Sequence, residues 1–294
     1  MKRILVTGAS GMLGATLAIT LSKKYNVFGT GSSNISLPIK YKVFDLKMDS
    51  YQELIDWSNP EIIIHCAAIT DGNYCENNFN DAFNTNGFSV KKLIDNTKEN
   101  VKIIYISTDA VFSSELNMAK ENDCGEPENI YGKSKKLGEF FLINSKRNYL
   151  ILRTTIVGLN NFRNKVGFVE WIINSVKNKK TISLFDDVLF TPINIWDFVK
   201  EIIFLVDKNL NKSEILHICG SENVTKYDFG ICLIKELDLD KKYIQKGLIS
   251  NFKQRAKRSN DQTLDCSFYQ NKYKRILPKL AQTIKSIKLN YNVQ

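Results

Sequence analysis

Along the first half of the chain, short runs of β-branched and other apolar residues alternate with longer segments whose apolar residues recur at helical spacing. Arg3–Gly8 (RILVTG), Asn26–Gly31 (NVFGTG), Tyr41–Leu46 (YKVFDL), Glu61–Ala68 (EIIIHCAA), Lys102–Thr108 (KIIYIST) and Tyr149–Thr155 (YLILRTT) read as strands. Met12–Tyr25, Ser50–Ser58, a long stretch over Asn80–Lys98, and Tyr131–Asn144 read as helices. Strand and helix in turn predict parallel strands joined by crossover helices, an α/β doubly wound sheet. Beyond Gly158 the pattern loosens. Helical segments over Phe168–Val176, Trp196–Val206 and Tyr227–Leu237 mix with the short strands Thr181–Phe185 and Glu214–Ile218. The expected division is a main domain over residues 1–155 and a smaller lobe, mainly residues 156–294, interleaved with it. His65 and His217 sit in apolar strands, and Trp57, Trp171 and Trp196 sit on amphipathic helices, so all five read as structural.

Composition narrows the class. At 294 residues and 43% hydrophobic content, the chain can bury a full core. It contains no run of ~20 apolar residues that would span a membrane, and Met1-Lys2-Arg3 leads straight into the first strand, so a cytoplasmic protein is expected. Six cysteines without a close pair, and two histidines, exclude zinc-site spacing and predict reduced thiols and no metal. The formal charge of +10 has its densest expression in Lys253-Gln254-Arg255-Ala256-Lys257-Arg258. Most of the excess is lysine scattered among Asn and Ile, the pattern of solvated faces, so no nucleic-acid partner is expected. A basic groove for an anionic nucleotide fits better.

Gly8, Gly11 and Gly14 follow a strand and open a helix, together with Ser10, Met12 and Leu13. A helix N-terminus offers unpaired N–H groups and partial positive charge, and glycine lets a pyrophosphate approach the backbone, so this stretch predicts a Rossmann-type dinucleotide site. The NAD version closes the second strand with an acid that bonds the ribose 2′-hydroxyl. Here Thr30, Ser32 and Ser33 stand in that place, which favours NADPH and leaves NADH open.

Tyr131 and Lys135 are four residues apart on one helix face. A neighbouring cation favours phenolate, and so brings a hydroxyl of ordinary pKa ~10 toward useful proton exchange. Thr108, at the end of a strand upstream, supplies a hydroxyl for the same substrate oxygen.

With the motifs TGASGMLG, STDAVF and YGKSK in this order, the chain resembles the extended short-chain dehydrogenase/reductase superfamily, and within it the dTDP-4-dehydrorhamnose reductase type. The resemblance covers nearly the whole chain. It implies that Asp45 and Leu46 contact adenine, that Ala67, Ala68 and Thr70 line the cofactor with Asn86 holding them, and that Asp109, Val111, Phe112, Arg153, Thr191, Pro192 and Arg258 serve the substrate side. It further implies NADPH-dependent reduction of a nucleotide-linked 4-keto-6-deoxy sugar, in surface polysaccharide precursor synthesis, with a homodimer as assembly. A nucleotide-sugar epimerase and a non-catalytic NADP-binding regulatory subunit are the alternatives. Ala110 stands where related dehydratases carry glutamate, which argues against elimination. Three positions depart from the family pattern: Ser259 follows Arg258 in place of proline, Gly167 stands for asparagine, and Asn73 for an acid.

Overall fold

The computed structural model describes residues 1–162, 165–209, 212–251 and 256–293. Lys253, Gln254 and Arg255 of the basic cluster lie outside the described residues. The chain begins β1 (Arg3–Thr7), α1 (Met12–Leu21), β2 (Asn26–Gly31), β3 (Lys40–Val43), α2 (Tyr51–Ser58), β4 (Ile62–His65). It continues through α3 (Gly72–Asn77), α4 (Phe79–Ala82), a π-helical turn (Phe83–Phe88), α5 (Ser89–Asn96), β5 (Lys102–Ile106), α6 (Ile130–Ile143) and β6 (Tyr149–Arg153). The second half runs β7 (Ile156–Val157), α7 (Phe168–Lys177), β8 (Ile182–Phe185), β9 (Leu189–Phe190), β10 (Ile193–Asn194), α8 (Ile195–Lys208) and β11 (Glu214–His217). It closes with β12 (Val224–Thr225), α9 (Lys226–Glu236), β13 (Ile244–Gly247), β14 (Asp261–Gln262), α10 (Ser267–Tyr273) and α11 (Leu280–Tyr291).

Seven strands pair in parallel in the order β11-β6-β5-β4-β1-β2-β3. Both faces of the central strands are buried, which is why they read as continuous apolar runs. Ile4, Val6, Ile62 and Ile64 point to the side covered by α1 and α8, whereas Leu5 and Ile63 point to the side that holds Leu54, Leu93 and Leu142. The order reverses between β1 and β4, so a crevice opens at the carboxyl ends of these two strands.

One expectation changes. The stretch from Asn80 to Lys98 is not one helix, because a π turn interrupts it. The wider turn lets the Asn86 carbonyl accept the Tyr105 hydroxyl at 2.8 Å, and Gly87 packs so tightly on α6 that a Cβ there would lie 2.8 Å from Leu137 Cδ2. From the second half of the chain, β11 adds to β6 and α8 packs on α1. What lies apart is a second core, built from Val169, Ile172, Phe190, Phe229, Leu233 and Ile284. No helix among the described residues is long and apolar enough to cross a membrane.

Candidate active site

The glycine loop closes on itself and on β4. Gly8 has φ +69°, and a Cβ on it would sit 2.6 Å from the Ala67 nitrogen. A Cβ on Gly14 would sit 2.2 Å from the Gly8 carbonyl oxygen. Gly11 N–H donates to Gly8 O at 2.9 Å, and Ala9 N–H donates to Thr30 O at 2.8 Å, which ties the loop to β2. No side chain caps α1 at Gly11. A missing cap costs ~1 kcal/mol, less than the ~1.5–3 kcal/mol from burying each of Leu13, Leu17 and Leu21. The helix therefore stays folded with its first N–H groups open to an anion. Gly14→Ala is expected to cost ~1–3 kcal/mol in urea unfolding through overpacking, and to weaken dinucleotide binding in a direct titration.

This loop borders a cleft of about 510 Å³, lined also by Thr30 and Ser32 at the end of β2, by Asp45 and Leu46, and by Ala67 and Ala68. Met12 and Leu13 form the first turn of α1 and do not line the cleft, the Leu13 side chain being core. Ser33 does not line the cleft; its carbonyl accepts the Tyr41 hydroxyl at 2.6 Å. Asn86 also stays behind the cleft. Its amide nitrogen donates to Ile69 O and Ser134 Oγ, both at 2.9 Å, and its oxygen accepts Ile69 N–H at 2.8 Å, so it fixes the Ala67–Thr70 segment. Thr70 lines the neighbouring, larger cleft. Gly8 and Gly14 are required by backbone packing, whereas Gly11, where a Cβ would meet only the Gly8 carbonyl oxygen at 3.3 Å, lines the cleft at the open end of α1.

α6 delivers Tyr131 to the wall of the neighbouring, larger cleft. Asn129 caps the helix by accepting Gly132 N–H at 2.8 Å, and Glu76 accepts Ile130 N–H at 2.8 Å. A Cβ on Gly132 would lie 2.1 Å from the Ala110 carbonyl oxygen, so only glycine lets α6 pack this closely on the Thr108–Val111 turn. Thr108 Oγ1 donates to Asp109 Oδ1 at 2.7 Å, and Asp109 Oδ2 accepts from Thr155 Oγ1 at 2.7 Å. Burial pushes the Tyr131 phenol above its ordinary value, while its hydrogen bond with the Thr108 side chain pulls the other way. The expected downward pull of Lys135 on the phenol is not among the influences in this conformation. Lys135 Nζ donates to Ile106 O at 2.7 Å and lies 4.0 Å from the centre of the Tyr105 ring. Burial lowers its pKa to about 7, against the upward pull of Glu139.

The larger cleft, about 1000 Å³, runs from Tyr131, Asp109 and Ala110 to Arg258 and the second core. Of the residues assigned to the substrate side, Asp109 and Arg258 face it. Val111, Phe112, Thr191 and Pro192 do not: Val111 and Phe112 are buried, and Thr191 Oγ1 accepts Leu264 N–H at 3.2 Å from within the core. Arg153 is corrected most. It is 2% exposed and binds Glu139 through two parallel hydrogen bonds, Nε to Oε1 at 2.9 Å and a terminal nitrogen to Oε2 at 2.8 Å, over the Phe112 ring. Trp171 is also corrected. It is 39% exposed and lines the cleft beside Phe168, because the helical face it occupies is the cleft wall. The departures from the family pattern are absorbed locally: Ser259 Oγ donates to Glu128 at 2.8 Å, Asn73 accepts Ala256 N–H at 3.3 Å, and Gly167 opens α7 by donating its N–H to Glu170 at 2.9 Å.

Lys226 is a cleft residue that the sequence reading missed. Its ammonium stands 3.3 Å from the centre of the Phe190 ring and forms no ion pair among the described residues. Burial lowers it to about 7, with Asp109 pulling up and Arg258 pushing down. Its only sequence signal is its place as first residue of a helix after Thr225, which does not reveal where that helix end points. His65 is structural, held between Thr7 Oγ1 at 2.7 Å and Ser89 Oγ at 3.0 Å, and burial lowers it to about 3. His217 is buried beside Arg153. Among the described residues no group of three or more His, Cys, Asp or Glu is placed to hold a metal ion.

The family model for the RmlD substrate binding domain matches residues 1–292. The chain belongs to this family. It is 30% identical over 244 residues to a dTDP-4-dehydrorhamnose reductase of Aggregatibacter actinomycetemcomitans, covering 80% of this chain and 79% of that protein. It is 29% identical over 271 residues to a probable low-salt glycan biosynthesis reductase of Haloferax volcanii, with 89% of each covered. In three dimensions it matches the crystal structure of a dTDP-4-dehydrorhamnose reductase from Bacillus anthracis in complex with NADP, at TM-score 0.86 and 23% identity, covering 99% of this chain and 100% of the other. An RmlD-family chain thus carries Tyr131 on the wall of the larger cleft, with Thr108 after β5 and Lys135 on α6 buried behind it.

Proposed function

We propose that the protein is a cytoplasmic reductase that uses NADPH to reduce the ketone of a nucleotide-linked 4-keto-6-deoxy sugar, in the synthesis of a surface polysaccharide precursor. The observation that carries this reading is Tyr131 on the wall of the larger cleft with the Thr108 hydroxyl beside it. NADPH, when bound, supplies the hydride. Gly8, Gly11 and the open N–H groups of α1 hold its pyrophosphate, and Ala67 and Ala68 flank it on β4. Tyr131 gives the carbonyl oxygen a proton, and Thr108 would donate to it once its hydroxyl turns from Asp109 Oδ1, so the charge that builds there is met by hydroxyl donors. Lys135, once released from the Ile106 carbonyl, grips the nicotinamide ribose and favours the phenolate left behind. Elimination is disfavoured because Ala110 offers no base, and Asp109 is already held by two hydroxyls.

The reading is tested by following NADPH oxidation by the purified protein with a dTDP-4-keto-6-deoxyhexose. Substrate-dependent oxidation that Tyr131→Phe abolishes supports it. Tight dinucleotide binding with no turnover of any such sugar overturns it in favour of the regulatory role.

Lys226 and Arg258 suit the sugar nucleotide's diphosphate, and this has a pH signature. An anion binds the protonated lysine, so affinity for dTDP-glucose is expected to fall as pH rises through about 7. Lys226→Met is expected to weaken binding on the order of tenfold at acidic pH and to flatten the profile, as read by calorimetry. An unchanged pH profile in the variant removes Lys226 from the site.

A further inference from the structure

Among the described residues, Lys226 and Lys165 line the clefts without a carboxylate partner, and Lys165 reaches the dinucleotide side. Lys165 lies in the connection between β7 and α7, far in sequence from the glycine loop. Its Nζ donates to the Ser10 carbonyl at 2.7 Å, and it lines the same cleft as Gly11, Gly31 and Ser32. Asn161, from the same connection, donates to Thr16 Oγ1 on α1 at 2.8 Å, so the connection is tied to the dinucleotide half at two points. Ser10 itself abuts the end of β2: a Cβ on Gly31 would sit 2.5 Å from Ser10 Oγ. The end of that strand is where a dinucleotide fold reads the adenosine ribose, by an acid for a 2′-hydroxyl or by a cation for a 2′-phosphate. Here β2 ends without either, and Thr30 spends its hydroxyl proton on the Lys42 carbonyl at 2.8 Å. Lys165 forms no ion pair among the described residues, and its bond to a neutral carbonyl leaves its charge uncompensated.

We propose that Lys165 is the cation that recognises the 2′-phosphate of NADPH, delivered to the end of β2 from the substrate side of the molecule. This rests on the dinucleotide reading above and adds to it the residue that separates NADPH from NADH. The neighbours Val166 and Gly167 line the larger cleft, so the segment that reads the phosphate also forms substrate wall.

The test is equilibrium binding of NADP+ and NAD+ to the full chain by calorimetry, for the wild type, Lys165→Met and Lys165→Arg. A charge-assisted hydrogen bond of this kind is worth on the order of 10- to 100-fold in affinity. The expected result is that Lys165→Met weakens NADP+ by that factor and leaves NAD+ nearly unchanged, while Lys165→Arg keeps the preference. The preference should also shrink as salt is raised. Equal binding of both dinucleotides by the wild type, or equal weakening of both in Lys165→Met, overturns the proposal, because the lysine then serves no 2′-phosphate. Failure of the wild type to bind either dinucleotide would instead overturn the cofactor reading itself.

Discussion

Replacing Tyr131 with phenylalanine is expected to lower kcat for ketone reduction by ~10²–10⁴-fold, the range that a positioned general acid supplies. The ring keeps its packing at the start of α6, and only the proton that would pass to the carbonyl oxygen is removed. The glycine loop and α1 are untouched, so the dissociation constant for NADP+ should stay within a small factor. Such a split marks the loss of an interaction made only in the transition state. Two measurements are needed together, single-turnover NADPH oxidation and dinucleotide titration. Turnover that survives the substitution removes Tyr131 from the chemistry, whereas a matching loss of dinucleotide affinity would mean that the phenol positions the cofactor.

The second large effect is on stability. Arg153→Met is expected to destabilise the fold by ~3–5 kcal/mol, because it leaves the Glu139 carboxylate buried without its cation. Glu139 is fully buried and, among the described residues, would retain only the Ser107 hydroxyl as hydrogen-bond donor, at 2.6 Å. Against a total stability of ~5–15 kcal/mol this is a large fraction. The double variant Glu139→Gln with Arg153→Met should recover much of the loss, since removing both charges removes the uncompensated one. Urea unfolding reads the energies, and steady-state kinetics at a temperature where the variant is folded read the site. A KM that rises with little loss of stability would return Arg153 to the substrate, as the family resemblance implies, and would contradict its place behind the cleft.

The two predictions mark where reading a sequence succeeds and where it stops. The placement of Tyr131 and Lys135 on one helix and of Thr108 just past a strand was legible because one helical turn and one strand end determine it. The glycine loop was legible for the same reason, since strand, turn and helix lie within a dozen residues. Arg153 was not legible. It ends β6, the strand beside the one that leads to Thr108, and whether its guanidinium turns to the cleft or to Glu139 depends on α6 packing beside β6. Trp171, Lys165 and Lys226 are the converse, residues with ordinary local patterns that the second half of the chain carries to cleft walls.

What the sequence determined by itself is therefore local and periodic: parallel strands from their apolar runs, the loop from its glycine spacing, and the trio from helix geometry. The tertiary structure alone decided the interruption of the Asn80–Lys98 helix, the addition of β11 to the main sheet, and the pairing of Arg153 with Glu139. The physical reason is common to all three. Each depends on a partner distant in the chain, Tyr105 for the π turn, β6 for β11 and α6 for Arg153. Buried polar groups and strand edges must be satisfied by whichever partner folding brings near, and no local pattern carries that information.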